Sequence, residues 1–220
     1  MNKLLLPGLL LLAIASSYFL LKPTTDAEQG FAHPLPWQIE TLDGGLSTVF
    51  GLTLGRDTLA DAMQLLGEEV EIAVVIDNQD KAGLEVYASR FKAGPLSGKL
   101  VVGAAVDPQT LERMGEQASN ARYMASGSRQ FALNAEDLAR ARQMPIQSLS
   151  FIPSAQLDEG IIRARFGAAQ QIIDSSPESR HFLYPALGLD LTLNSEGREL
   201  LQYVAPKDFA LLTDPLTEAQ

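Results

Sequence analysis

Hydrophobic and polar positions change rhythm along this chain, and the first segment is the most uniform. From Leu4 to Leu21 there is no charged side chain. As a helix that run spans ~27 Å at ~1.5 Å per residue, close to the ~30 Å hydrocarbon core of a bilayer. Ala13-Ile14-Ala15 offers an A-x-A-like cleavage pattern. Ser16 to Leu21 stays largely apolar, however, so cutting after Ala15 would leave a greasy new terminus. The reading is an uncleaved signal-anchor over residues 1–22, followed by a tether over 23–36 rich in Pro, Thr and acidic or small residues. Lys3 before the span and Lys22 after it lean towards a cytoplasmic N-terminus. That predicts a single-pass protein of the bacterial inner membrane with its globular part in the periplasm.

From Trp37 the pattern shortens to strands and small helices. Trp37 to Glu40 and Ser47 to Phe50 alternate around the turn Asp43-Gly44-Gly45, which predicts a hairpin. Leu59, Met63 and Leu66 share a helical face between a cap at Asp57 or Thr58 and a stop at Gly67. Three strands follow: Val70 to Ile76, Leu84 to Phe91 and Lys99 to Val106. Asp107-Pro108 starts a helix through Leu111 and Met114, because an aspartate caps and proline suits the first helical position. A short strand at Gln130 to Leu133, a helix from Asn134 to about Gln143 and an extended run at Ile146 to Ile152 come next. Ser154 to Gly167 is predicted as a helix burying Leu157 and Ile161. Strands are predicted at Gln170 to Asp174, Arg180 to Tyr184, Leu187 to Leu193 and Glu199 to Val204, and a helical turn at Lys207 to Leu212.

The fold class is therefore α+β: a transmembrane helix, then two helix-plus-antiparallel-meander units over residues 37–133 and 134–220. In the first unit TLADAMQLLG precedes strands ending at Val106. In the second QLDEGIIRARFG precedes strands ending at Val204. If the halves are sisters, Gly67 and Gly167 occupy equivalent helix ends.

These segments, with LYPALGLDLTLNSEGRELLQYV, resemble the SmpA/OmlA family, the fold of a small outer-membrane assembly lipoprotein. Two such units in tandem are similar in layout to the β-lactamase inhibitor proteins. That resemblance implies a sheet surface that binds a protein. The chain departs from the lipoproteins in having no lipidated cysteine. IPSAQLDEGIIRARFG, LYPALGLDL and LQYVAP also resemble a family of exported proteobacterial proteins, which implies location and not activity.

Composition narrows the chemistry. There is no cysteine, so disulfides, thiol catalysis and zinc–thiolate sites are excluded. Removing Lys3 and Lys22 from the 17 basic residues leaves 15 against 27 acidic ones, about −12 beyond the anchor. Such a charge repels nucleic acid and anionic headgroups and favours a basic partner. No GxSxG elbow, SxxK, HExxH, Walker loop or dinucleotide fingerprint occurs. His33 is expected as a solvated bystander in the tether. His181 is expected as an exposed strand histidine, with general acid–base chemistry the alternative. Asp77 to Asp80 lacks an EF-hand's spacing and suits a polar turn. Asp158 and Glu159 are adjacent and suit the helix dipole better than a shared substrate.

The expectation is thus no catalytic residue, no metal and no cofactor. The candidate partner-binding residues are Arg163, Arg165, Arg180, Phe182, Tyr184 and Tyr203, since aromatic and arginine side chains anchor protein interfaces. The three arginines suit an anion site or a solvated surface, the three aromatics a core or an open sheet face. The function expected is non-catalytic protein binding to another envelope protein, as an assembly adaptor or inhibitor-like module. The alternative is a small hydrolase, or a lipid or peptide carrier, using an interdomain cleft. An enzyme would hold His181 in a cleft with an acid or hydroxyl in reach; a carrier would enclose an apolar cavity.

Overall fold

The computed structural model describes residues 33–67, 70–77, 80–124 and 127–218. The expected anchor, residues 1–22, and tether residues 23–32 lie outside them. No helix of the described residues is long and apolar enough to cross a membrane.

Antiparallel pairing of alternating apolar runs dominates. Three short strands, β1 (Glu40–Leu42), β2 (Leu46–Val49) and β3 (Leu52–Leu54), form a small sheet. Helix α1 (Leu59–Leu66) follows, held by a reciprocal capping box between Thr58 and Asp61 and ended at Gly67. Strands β4 (Ile72–Ile76), β5 (Ala82–Ala93) and β6 (Leu96–Ala104) form a meander. Then come α2 (Pro108–Gln117), β7 (Ser119–Tyr123), β8 (Arg129–Ala132), α3 (Ala135–Ala141) and β9 (Ile146–Pro153). The rest is α4 (Glu159–Phe166), β10 (Gln171–Asp174), β11 (Ser179–Tyr184), β12 (Leu189–Asn194), β13 (Leu200–Val204) and α5 (Ala210–Glu218). The described residues fall within one compact unit, Ala32–Gln220.

The larger sheet has ten strands in the order β10-β11-β12-β13-β9-β6-β5-β4-β8-β7. Helix α1 with β4, β5, β6 and β9 has the same order as α4 with β10, β11, β12 and β13. The two fours meet edge to edge at the antiparallel pair β9 and β13. In the first four, residues 105–145, carrying α2, β7, β8 and α3, intervene before the last strand. In the second, β13 follows β12 through a short turn. The expected boundary between 133 and 134 falls inside this arrangement, because β9 pairs with strands of both halves.

Register makes the correspondence exact to the residue. Ile72 lies opposite Val86, and Val86 opposite Val102. Ile172 lies opposite Phe182, and Phe182 opposite Leu191. Carried to the last strands, Ser150 of β9 matches Gln202 of β13, and these two residues are themselves partners across the junction. The pairing of matched residues across that junction relates the strand registers of the two fours by a local twofold. Gly67 (φ +86°) and Gly167 (φ +81°) end their helices alike, each donating its N–H to the carbonyl four residues back.

One face of the sheet makes the core. Val86, Leu100, Val102, Leu149, Phe151, Leu191, Leu201, Tyr203, Phe182 and Tyr184 point to it, packed with Leu59 and Ala62 of α1, Leu111 and Met114 of α2 and Ile162 of α4. Phe50 is driven into its centre. It turns the β2–β3 hairpin at φ +55°, a conformation that costs a bulky residue energy. Edge contacts to Phe91, Phe151 and Tyr203 at 5.1, 5.4 and 5.7 Å offset that cost.

Several expectations need correction, among them His181, expected as an exposed strand histidine and in fact buried at 9% exposure. Helix α4 begins after Asp158 and not at Ser154, whose N–H pairs with the Ser97 carbonyl. It buries Ile162, leaving Ile161 40% exposed. His33 is no solvated bystander: it stacks on Phe91 at 4.7 Å, and burial holds its pKa below the usual value. Pro36 is docked too, its carbonyl taking the buried Tyr203 hydroxyl at 3.0 Å. The last helical segment runs on to Glu218 through an internal Pro215.

Candidate functional site

The most ordered polar cluster lies on the other face of the sheet, in the second half. Strand β11 places His181 opposite Thr192 of β12, and Asp190 one step along β12 on the same face. His181 Nδ1 is 2.8 Å from Asp190 Oδ2 and 3.2 Å from Thr192 Oγ1. Ser175, on the turn leaving β10, puts its Oγ 2.9 Å from His181 Nε2. Asp190 is only 1% exposed and its Oδ1 has no partner among the described residues. An ionised Asp190 accepts only, so it takes the Nδ1 proton and leaves Nε2 to accept from the Ser175 hydroxyl. Hydroxyl, imidazole and carboxylate then form the chain that activates a serine nucleophile.

Two parts of that chemistry are lacking around it. The N–H groups of Ser175 and Ser176 both donate to the Ser179 carbonyl, at 3.0 and 3.4 Å, closing the turn instead of facing a developing oxyanion. The clefts found near this end of the sheet are lined by neither Ser175 nor His181. The network ties β10, β11 and β12 together whatever else it does. A sequence signal existed in LGLDLTL, where one carboxylate interrupts an apolar strand.

The predicted binding residues separate into two groups. Phe182, Tyr184 and Tyr203 are buried and point to the core face, so they are not available to a partner as the structure stands. Alternation along β11 and β13 puts them there, and burial raises the Tyr203 hydroxyl well above its usual pKa. Arg163, Arg165 and Arg180 do not converge on a free anion site. Arg163 and Arg180 both reach Glu159, at 2.9 and 3.7 Å, and Arg180 Nε bonds Asp174 at 2.6 Å. Arg165 lies over the Trp37 ring at 4.7 Å.

The face opposite the core is open along the middle strands. Tyr87, Val101, Ser150 and Gln202 lie in one row across β5, β6, β9 and β13, all half-buried, with Lys99 and Ile152 beside them. Glu85 shares this face; burial, then the Asp77 charge, raises its carboxyl pKa. At the far end, α5 packs against β13.

No family model, no curated protein and no solved structure matches this chain. The site residues therefore stand on their geometry. No cluster of three or more His, Asp or Glu disposed to hold a metal occurs among the described residues.

Proposed function

We propose that this protein is anchored in the bacterial inner membrane by residues 1–22 and binds another envelope protein in the periplasm without catalysis, as an assembly adaptor or inhibitor-like module. One observation carries the reading: the row Tyr87, Val101, Ser150 and Gln202, part-exposed on the face opposite the core, crosses the junction of the two halves before it closes at the buried Asp190. Tyr87, Val101, Ile152 and Gln202 offer a partner apolar and hydrogen-bonding contact. Rigid, mixed surfaces of this kind suit protein recognition. The common order of the two halves supports an origin by duplication. The apolar length of Leu4 to Leu21 supports the anchor.

A photo-crosslinker at Tyr87 or Ile152 in native membranes is the test. Capture of one defined protein from these positions, and not from Arg163 on the helix side, supports the reading; capture from the helix side alone overturns it. Intact mass of the membrane-extracted chain tests the anchor, and a mature N-terminus at Ser16 would refute it.

The Ser175–His181–Asp190 chain favours a second reading, a small serine hydrolase. Labelling of Ser175 by a fluorophosphonate, lost in His181→Ala, would support that reading. Under the binding reading Ser175 is not labelled and His181→Ala keeps partner capture.

A further inference from the structure

The binding reading leaves a second feature unused. Where the β10–β11 and β12–β13 turns meet the start of α4, a cleft of about 550 Å³ is lined by Asp158, Glu159, Asp174, Glu178 and Glu199, with Arg180 as the basic side chain on its wall. Arg180 is engaged by Asp174 and Glu159, and Glu159 also holds Arg163. Asp158, Glu178 and Glu199 therefore have no cationic partner among the described residues.

Glu199 is the unusual member. It is 5% exposed, and its Oε2 is buried with no hydrogen-bond partner among the described residues. A buried carboxylate oxygen without a donor is costly, and a cation brought to it regains a charge-assisted bond. Among the described residues no group of three or more carboxylates converges as a metal site would need. The cleft is also far larger than one ion, and suits a long side chain with part of its backbone. The charge of about −12 beyond the anchor draws positive segments towards it.

We propose that this cleft receives an arginine or lysine side chain from a basic segment of the partner protein, with Glu199 at its floor and Asp158 and Glu178 at its rim. The proposal rests on the protein-binding reading and adds a second, electrostatic point of contact to it.

The test uses the full chain in detergent micelles and acetylated hexaarginine amide as probe, with hexaglutamate as control. Calorimetry should show hexaarginine binding that weakens with salt and falls about tenfold in Glu199→Gln, the loss expected for one charge-assisted bond. Glu178→Lys, at the rim, should weaken it at least as much with an unchanged melting temperature. Equal affinity of wild type, Glu199→Gln and Glu178→Lys, or no hexaarginine binding at all, would overturn the proposal. Crosslinking from Tyr87 and Ile152 separates the two failures. Partner capture kept there while hexaarginine ignores Glu199 rejects the cleft alone, and capture lost from that face rejects the sheet-face reading.

Discussion

The halves of the large sheet share a frame and differ in what they place on it. On the core face most matched positions are apolar: Ala62 and Ile162, Val86 and Phe182, Val102 and Leu191, Leu149 and Leu201, Phe151 and Tyr203; towards the outer edge the buried Val74 and Leu84 are matched by Asp174 and Arg180, which pair at the surface. On the opposite face matched positions diverge. Glu85 stands where the second half has His181, Val101 where it has Asp190, and Gly103 where it has Thr192. Packing constrains the first set, because a core tolerates only apolar volume of about the right size. The second set shares no such requirement: Asp190 and His181 are buried in a hydrogen bond to each other where the first half has Val101 and Glu85, so the polar chemistry of this molecule sits on the face opposite the common core.

The strongest way to break the comparison is at the centre shared by both halves. Phe50 packs on Phe151 of one and Tyr203 of the other. Phe50→Ala should cost about 3–5 kcal/mol, the range for deleting a buried aromatic. Urea unfolding followed by Trp37 fluorescence and by far-ultraviolet circular dichroism should shift as one transition. Two separated transitions would show that the halves fold independently, and the junction at β9 and β13 would then be a contact between domains.

A smaller effect tests the helix ends. At Gly67 and Gly167 an added Cβ meets nothing within 4 Å, so a substitution there exposes backbone strain alone. With φ near +80° and ψ near ±180°, a region almost restricted to glycine, alanine should cost ~1–3 kcal/mol at either site. Equal losses in denaturant midpoint sharpen the equivalence. A loss at Gly67 with none at Gly167 would break it.

Features fixed within a few residues were legible in the sequence. Thr58 and Gly67 bound α1, and Asp107-Pro108 opens α2, because caps act on the nearest backbone groups. Ser154 misled for the same reason in reverse: it is a good cap, but β-pairing to Ser97 claims its N–H. The strands themselves were found, apart from the short β3 and β7 and from β1, which starts at Glu40 where the expected strand over Trp37 to Glu40 ends. Their order was not, since β9 is brought between β6 and β13 by contacts distant in sequence. The Ser175–His181–Asp190 cluster was hidden likewise, because it exists only once the registers of β11 against β10 and β12 are set.

A subtler contrast lies between Phe151 and Tyr203, matched residues that differ by one hydroxyl. The Tyr203 hydroxyl donates to the Pro36 carbonyl and so fastens the start of the folded chain to the second half. Tyr203→Phe should cost about 0.5–1.5 kcal/mol, the net worth of one neutral hydrogen bond. Amide exchange at Gly94, whose N–H bonds the His33 carbonyl, should quicken as that segment loosens. Unchanged exchange would show that the His33 stack on Phe91 holds the segment without help.

The smallest effect concerns Glu85, matched to His181 on the non-core face. Its carboxyl pKa is raised from 4.5, first by burial and then by the charge of Asp77. The folded state therefore prefers the protonated form more than the unfolded chain does. That preference stabilises fully below the unfolded value of 4.5 and is lost as pH rises through the higher folded value. At neutral pH the ionised carboxylate is a burden, so Glu85→Gln should be more stable than wild type there. The advantage should shrink as pH falls towards 4.5 and vanish below it. Urea midpoints across that range measure the difference. A gain that persisted in acid would trace to packing, and Glu85 would then be a structural residue of the first half with no charge kept ready for a partner.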